Sequence, residues 1–212
     1  LCCDASAKEC ARVRRHSMAQ LHEAMQQHYR VYLNMAALGG GMRDALVAEA
    51  ELTPKPGLVD ADNQGPHPDM TLPMFRHSAA ALAPFLAECA FGGSRFAHEA
   101  PGSAMLAAIR PIGLAAEEAM YAATGKVNTH KGALFAFGIA AAALGRRIAR
   151  QEQSDWPALS ADIRAICAGL EPELGQGNTA GARFYRQHGL PGARGEALSG
   201  FATLTDFALP AY

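Results

Sequence analysis

Prolines at 54, 56, 66 and 68 and glycines at 57 and 65 close the stretch 54–69 to any regular helix or central strand. Whatever this chain folds into must be arranged on either side of one stiff, irregular loop. The flanking segments are long and rich in Ala and Leu, with no sustained alternation of apolar and polar residues. A half-buried strand requires that alternation, so the expected fold is all-α, a single multi-helix domain with polar loops at its helix ends.

The expected helices follow from apolar spacing and from stop signals. One runs from about Met42 to Leu52, ended by Pro54 and Pro56. Thr71 and Pro73 open another to about Phe91, with Phe75, Ala79, Leu82, Leu86 and Cys89 on its apolar side. Ser103 caps a third to about Ala123, and Thr129 to Arg150 forms the central helix. Ser160 opens a fifth, carrying Ile163, Ile166, Cys167 and Leu170. Short helices near Thr179 to His188 and Leu204 to Leu209 close the chain around a loop from Gly189 to Gly200.

Composition excludes several functions. The 212 residues are 50% hydrophobic and 18% charged, enough for one substantial core. A net charge of −1 argues against a nucleic-acid or anionic-membrane surface, so local basic residues must handle any phosphate. The longest uncharged run, Gly132 to Gly145, is shorter than the roughly 20 residues that cross a bilayer. With no apolar leader ahead of the first structured part, the expected location is the cytoplasm. Cys89 and Cys167 fall among apolar residues, where a reduced thiol acts as a small hydrophobe.

Residues 1–34 differ in character. Ser17 and Gln20 make a capping box for a helix to about Ala37, with Met18, Leu21, Met25 and Tyr32 roughly on one face. The expected organisation is a tail and linker over 1–41, jointed at Gly39-Gly40-Gly41, and a main domain over 42–212. Cys3, Cys10 and His16 offer zinc ligands, but three residues without a C-x-x-C pair fall short of a structural site on spacing alone.

Polar chemistry concentrates at helix breaks. Asp60, His67 and Asp69 share the proline-rich loop, where two carboxylates suit Mg²⁺ or else cap loop backbone as Asx turns. Lys55 reaches either a phosphate or only solvent. Asn128, Thr129, His130 and Lys131 begin the central helix, where free N–H groups favour an anion; the plain alternative is an N-cap with solvated side chains. Glu49 and Glu117 sit beside apolar residues and are either functional or half of an ion pair, with Arg110 seven residues before Glu117. Arg194 and Glu196 lie in a glycine-flanked loop that can close over a substrate or be an ordinary turn. Gly125-Lys126 is not a Walker A loop, because Val127 replaces the required Ser or Thr.

Three ordered blocks carry a family resemblance. The first is Glu49 with Leu52-Thr53-Pro54-Lys55-Pro56-Gly57-Leu58-Val59-Asp60, Asn63, His67 and Asp69-Met70. The second is Arg110, Gly113, Glu117, Ala122-Ala123-Thr124-Gly125 and Val127-Asn128-Thr129-His130-Lys131-Gly132-Ala133. The third is Tyr185, Gly189, Gly192-Ala193-Arg194-Gly195-Glu196-Ala197 and Gly200-Phe201. They resemble the triphosphoribosyl-dephospho-CoA synthases, which make the prosthetic-group precursor of citrate lyase or, in a sister branch, malonate decarboxylase. Lys126 stands where that family usually has a second glycine. Cys3, Cys10-Ala11-Arg12 and Arg14-Arg15-His16-Ser17 resemble the carboxyl-terminal end of the transferase that attaches the finished group to the citrate lyase acyl carrier subunit, fused to the synthase in some organisms.

The resemblance implies transfer of a triphosphoribosyl group from ATP to 3′-dephospho-CoA with release of adenine. For that reaction Glu49 or Asp60 is the expected base or cation stabiliser, His67 the expected acid to adenine, and Glu117 a further catalytic candidate or else half of an ion pair. Asp60 and Asp69 would hold Mg²⁺, and Lys55, Asn63, Arg110, Asn128, Thr129, His130, Lys131, Arg194 and Glu196 would bind substrate. Competing readings are a helical Mg²⁺-dependent phosphohydrolase, from the His and Asp loop, and a non-catalytic partner-binding fragment. The tail leans towards citrate lyase, and partners other than nucleic acid or membrane are expected.

Overall fold

The computed structural model describes every residue except Leu1, Asp4, Asn178, Thr179 and Tyr212. Its elements are α1 (Ala7–Val13), α2 (Met18–Glu51), α3 (Leu72–Ser94), α4 (Ser103–Ala123), α5 (Lys131–Ala149) and α6 (Trp156–Cys167). A 3₁₀ turn at Glu171–Glu173, α7 (Ala180–His188), α8 (Gly192–Ser199), a π-helical stretch Thr203–Ala208 and α9 (Leu209–Ala211) follow. No strand occurs among the described residues, as the missing period-two pattern requires.

Helix α3 lies at the centre, packed against α2, α4 and α5. Leu82, Leu86, Met105, Met120, Ile139, Ile163 and Ile166 form the fully buried heart of the core. The α3–α5 contact depends on two glycines. A Cβ on Gly93 would lie 1.9 Å from the Ala142 carbonyl oxygen, and one on Gly145 would lie 2.0 Å from that of Ala90. Only bare backbone permits this approach.

Several expected boundaries are corrected. The helix expected from Met42 is the end of a 34-residue α2 that begins at Met18 and runs unbroken through Gly39-Gly40-Gly41. That glycine run is therefore not a flexible joint: a Cβ on Gly39 would lie 2.6 Å from the Ala83 carbonyl oxygen, so the glycine lets α2 press on α3. Met35, Gly39, Met42, Leu46 and Ala50 make the buried stripe of α2, whereas Met18 and Met25 of the expected apolar face stay exposed. The Ser17–Gln20 capping box is present, with both reciprocal hydrogen bonds.

Gly102 rather than Ser103 is the N-cap of α4, and Asp155 rather than Ser160 caps α6, accepting from the Ala158 N–H at 2.8 Å. Ser160 lies inside α6 and donates to the Gly200 carbonyl at 2.8 Å. The central helix starts at Lys131, two residues later than expected. At 19 residues α5 is long and apolar enough to cross a membrane by length and composition, but its Leu134, Ile139 and Ala141 to Ala143 are buried in the protein core. The expected loop from Gly189 to Gly200 contains α8, so Arg194 and Glu196 stand on a helix. The expected helix start at Thr179 falls outside the described residues.

Away from the site, Arg147 donates to Asp162 at 3.0 Å, and Arg146 donates to the Glu99 carbonyl at 2.9 and 2.7 Å. These bonds tie α6 and the α3–α4 connection to the far end of α5. Cys89 and Cys167 are buried thiols pushed up to about 12 by desolvation, consistent with a hydrophobic role.

Candidate active site

The end of α2, the start of α3, the end of α4 and the start of α5 meet at one end of the bundle. Hydrogen bonds between them define the place. Thr129 donates to the Ser78 hydroxyl at 2.8 Å, Ser78 and His130 Nδ1 share a 2.7 Å bond, and the His130 N–H points to the Met120 sulfur at 3.3 Å. Lys126 turns the chain between α4 and α5 with φ of 72°, the left-handed conformation that a glycine would take more cheaply. Beside it Gly125 has φ of 63°.

From this end a cavity of about 540 Å³ runs between α4, α5 and the carboxyl-terminal segment. On α4, Leu106, Ile109, Arg110, Gly113, Leu114 and Glu117 face it, positions that helical spacing places on one side. Asn128, just ahead of α5, and Lys131, Leu134, Phe135 and Gly138 of α5 line it, and Glu173, Tyr185 and Arg194 close it from the segment beyond α6. The size suits a small-molecule ligand, and apolar walls with a few charged groups are the usual make-up of such sites.

Five charged side chains reach this cavity: Arg110, Glu117, Lys131, Glu173 and Arg194. Lys131 Nζ donates to Glu117 Oε1, joining α5 to α4. Arg110 grips Glu173 with two bonds of 3.1 and 2.6 Å and holds its carboxyl below the usual range. Arg194 Nη1 donates to the Glu173 backbone carbonyl at 2.7 Å. Asn128 Oδ1 accepts the Lys131 N–H at 3.2 Å, two residues ahead of His130, the N-cap, whose own side chain makes no capping bond.

The expected partner of Glu117 was Arg110; the structure gives Lys131 instead and assigns Arg110 to Glu173. Glu173 was not among the sequence candidates. Its partner lies 63 residues away in the chain, and only tertiary packing brings the two together.

Of the remaining candidates, Lys55, Asp60, Asn63, His67 and Asp69 form a second group on the proline-rich loop, outside the cavity. Asp60 is 4% exposed, and its carboxylate accepts the N–H groups of Lys55, Asp62 and Asn63, each at 2.9 Å. Those bonds hold its pKa below the ordinary Asp value, led by the one from Lys55. Here the Asx-turn reading describes Asp60 better than metal binding, because its oxygens are already engaged. Asp60, His67 and Asp69 also do not bring three ligand atoms within 4.8 Å of one another. With three backbone N–H groups on its carboxylate, Asp60 has little acceptor capacity left to offer a Mg²⁺ ion.

Lys55 Nζ is tied to the Glu49 carbonyl at 2.6 Å and to the Glu49 carboxylate at 2.9 Å. Glu49 is thus half of an ion pair that latches the loop to the end of α2. Asn63 accepts the Gly65 N–H at 2.8 Å, and Asn63 and Asp69 are exposed while His67 is half-buried. Glu196 faces away from the cavity towards Thr203, whose hydroxyl donates to it at 2.7 Å. His130, expected either as a phosphate ligand or as a solvated side chain, is 4% exposed, stacked edge-on with Phe75 at 5.0 Å, and pushed down to about 4 by burial. Burial thus favours the neutral ring over the cationic one; its Nε2 is buried with no partner among the described residues.

Residues 35–212 match the ATP:dephospho-CoA triphosphoribosyl transferases. The chain belongs to that family. It is 42% identical to the 2-(5″-triphosphoribosyl)-3′-dephosphocoenzyme-A synthase of Haemophilus ducreyi, over 94% of this chain and 67% of that protein. It is 40% identical to the protein CitXG of Haemophilus influenzae, over 95% of this chain and 45% of the relative. A probable synthase of the same name from Vibrio cholerae is 46% identical over 79% of this chain and 55% of its own length. The chain thus spans from about half to two thirds of the length of these transferase-family relatives. No solved structure matches it.

Proposed function

We propose that this family member transfers the triphosphoribosyl group of ATP to the adenosine 2′-hydroxyl of 3′-dephospho-CoA, releasing adenine. The observation that carries the reading is the α4–α5 cavity. It sets Arg110, Lys131 and Arg194 beside an apolar wall of Leu106, Ile109 and Phe135, a combination suited to a polyphosphate attached to a flat, weakly polar base.

In the reaction the 2′-oxygen forms a bond to the anomeric carbon while the bond from that carbon to the adenine nitrogen breaks. Adenine departs with the bonding pair and takes up a proton. The transition state carries positive charge on the ribose, as in glycoside hydrolysis. Glu117 is the cavity carboxylate placed to accept the hydroxyl proton or to face that charge. Lys131, its ion-pair partner, faces the triphosphate together with Arg110 and Arg194. Mg²⁺ enters as the counterion of the ATP phosphates rather than on a protein-borne Asp60–Asp69 site. The proline-rich loop, latched by Lys55 to Glu49 and cradled by Asp60, frames the bundle end, with Asn63, His67 and Asp69 on its outer side.

The same reading places the reaction in the cytoplasm, where its nucleotide substrates are made. It takes the product to the citrate lyase acyl carrier subunit, through a transferase whose carboxyl-terminal end residues 1–34 resemble. Support for that link is that the Haemophilus influenzae match covers 95% of the chain and so takes in much of this segment.

The test is mass spectrometry of the chain incubated with ATP, Mg²⁺ and 3′-dephospho-CoA. Free adenine with a triphosphoribosyl adduct supports the proposal. Free phosphate without adenine, or neither product from protein that binds neither nucleotide, rejects it.

A further inference from the structure

Outside the cavity, one cluster of reactive side chains is left unused by the reaction. Helix α1 starts at its cap Ser6 and ends at Arg14, which takes φ of 47° and reverses the chain. The Arg15 N–H then bonds back to the Cys10 carbonyl at 3.1 Å, and Ser17 starts α2. The reversal swings His16 back over α1. Its Nε2 lies 3.2 Å from Cys3 Sγ, which lies 3.2 Å from Cys10 Sγ. The three atoms all fall within 4.8 Å of one another, and they are the one such group of three or more among the described residues. Cys2 stays out of the group, its thiol directed to the Gln20 carbonyl at 3.6 Å.

We propose that Cys3, Cys10 and His16 form a Zn²⁺ site, with a fourth position open to water or another ligand. With Zn–S bonds of about 2.3 Å and tetrahedral angles, two sulfurs stand about 3.8 Å apart. The cluster is roughly half an ångström tighter than that, and a hollow of about 480 Å³ beside it, lined by Cys3, Cys10, His16, Met18 and Leu21, leaves room to open. The donor set is that of a borderline-soft cation, two thiols and an imidazole, not that of Mg²⁺. Binding deprotonates both thiols, so two thiolates offset the ion's charge and their protons go to solvent. The site would clip α1 onto the start of α2, where no apolar core does so: α1 has no buried residue.

The experiment is metal analysis and Co²⁺ substitution on the full chain purified under reducing conditions. The expected result is about one zinc per chain and, with Co²⁺, the near-ultraviolet thiolate charge-transfer band and visible bands of a tetrahedral ion. Cys3→Ser, Cys10→Ser and His16→Ala should each weaken binding at least roughly tenfold, whereas Cys2→Ser should retain it. Far-ultraviolet circular dichroism keeps the variants interpretable, since all three residues lie outside the core and helix content should hold. Zinc retained equally by the Cys3→Ser/Cys10→Ser double variant would overturn the proposal. So would a reduced chain that takes up neither ion and, once oxidised, simply forms a Cys3–Cys10 disulfide.

Discussion

The Lys131 ammonium, on the first residue of α5, donates to the Glu117 carboxylate of α4, fourteen residues earlier in the chain. The pair sits in the wall of the cavity, with side chains 41% and 24% exposed. A partly exposed ion pair contributes little to folding, about 0–1 kcal/mol. Its removal should therefore leave the protein folded and show in catalysis. Glu117→Gln should lower kcat by roughly 10²–10⁴-fold, the usual loss for a positioned acid or base, with Tm nearly unchanged. Lys131→Ala should mainly raise KM for ATP. Equal kcat for Glu117→Gln and wild type would remove Glu117 from the mechanism.

Asp60 should behave in the opposite way. Its carboxylate accepts three backbone N–H groups, and Asp60→Asn turns one acceptor into a donor facing an N–H. The expected outcome in a thermal melt is a Tm lower by roughly 5 °C. The Mg²⁺ dependence of any remaining activity should be unaltered. Asp69→Asn, on the exposed side of the loop, should leave Tm where it is. A shifted Mg²⁺ requirement with normal stability in Asp60→Asn would restore the metal-ligand reading.

His130 gives the protein a pH signature. Its folded pKa of about 4 lies below the ordinary 6.5 because the ring is buried. The unfolded chain therefore binds more protons between those values, and stability rises with pH through that window. It is fully present above about pH 6.5 and declines as pH falls towards 4, by up to about 3 kcal/mol. Denaturant melts from pH 4 to 7 on wild type and His130→Gln test this; the variant should show a flatter profile. Identical slopes would mean that His130 is not the group responsible.

Much of the fold was legible because apolar spacing and proline stops are local signals. The starts and ends of α3 and α4 came out within a few residues, as did the irregular loop between Leu52 and Thr71. Glycine was the main source of error. Gly39-Gly40-Gly41 reads as a joint, yet α2 passes through it because Gly39 seats the helix against the Ala83 carbonyl. Gly189 and Gly200 read as the ends of a loop, yet the stretch between them contains α8. Of the residues that line the cavity, Asn128 and Lys131 were singled out at a helix start, Arg110 and Glu117 on one helix face and Arg194 in a glycine-flanked stretch. Their pairing was not, because Arg110 with Glu173 and Lys131 with Glu117 are set by packing between helices. The division of the candidates into cavity and loop groups was invisible for the same reason.

The α3–α5 contact offers a direct check of the core. Gly93→Ala would drive a Cβ into the Ala142 carbonyl, and the helices would have to separate. Overpacking of this kind costs about 1–3 kcal/mol or more, so Tm should fall by at least several degrees. Gly113→Ala, on α4 with open space around it, should be tolerated. A Gly93→Ala protein as stable as wild type would contradict the packing described.

The central claim is that nucleotide binds in the cavity between α4 and α5, not on the proline-rich loop. Photolabelling with 2-azido-ATP, followed by peptide mapping, tests it most directly. The account predicts label on peptides from α4, α5 and the stretch 171–194, lost when unlabelled ATP competes. Competable label confined to residues 52–71 would contradict it.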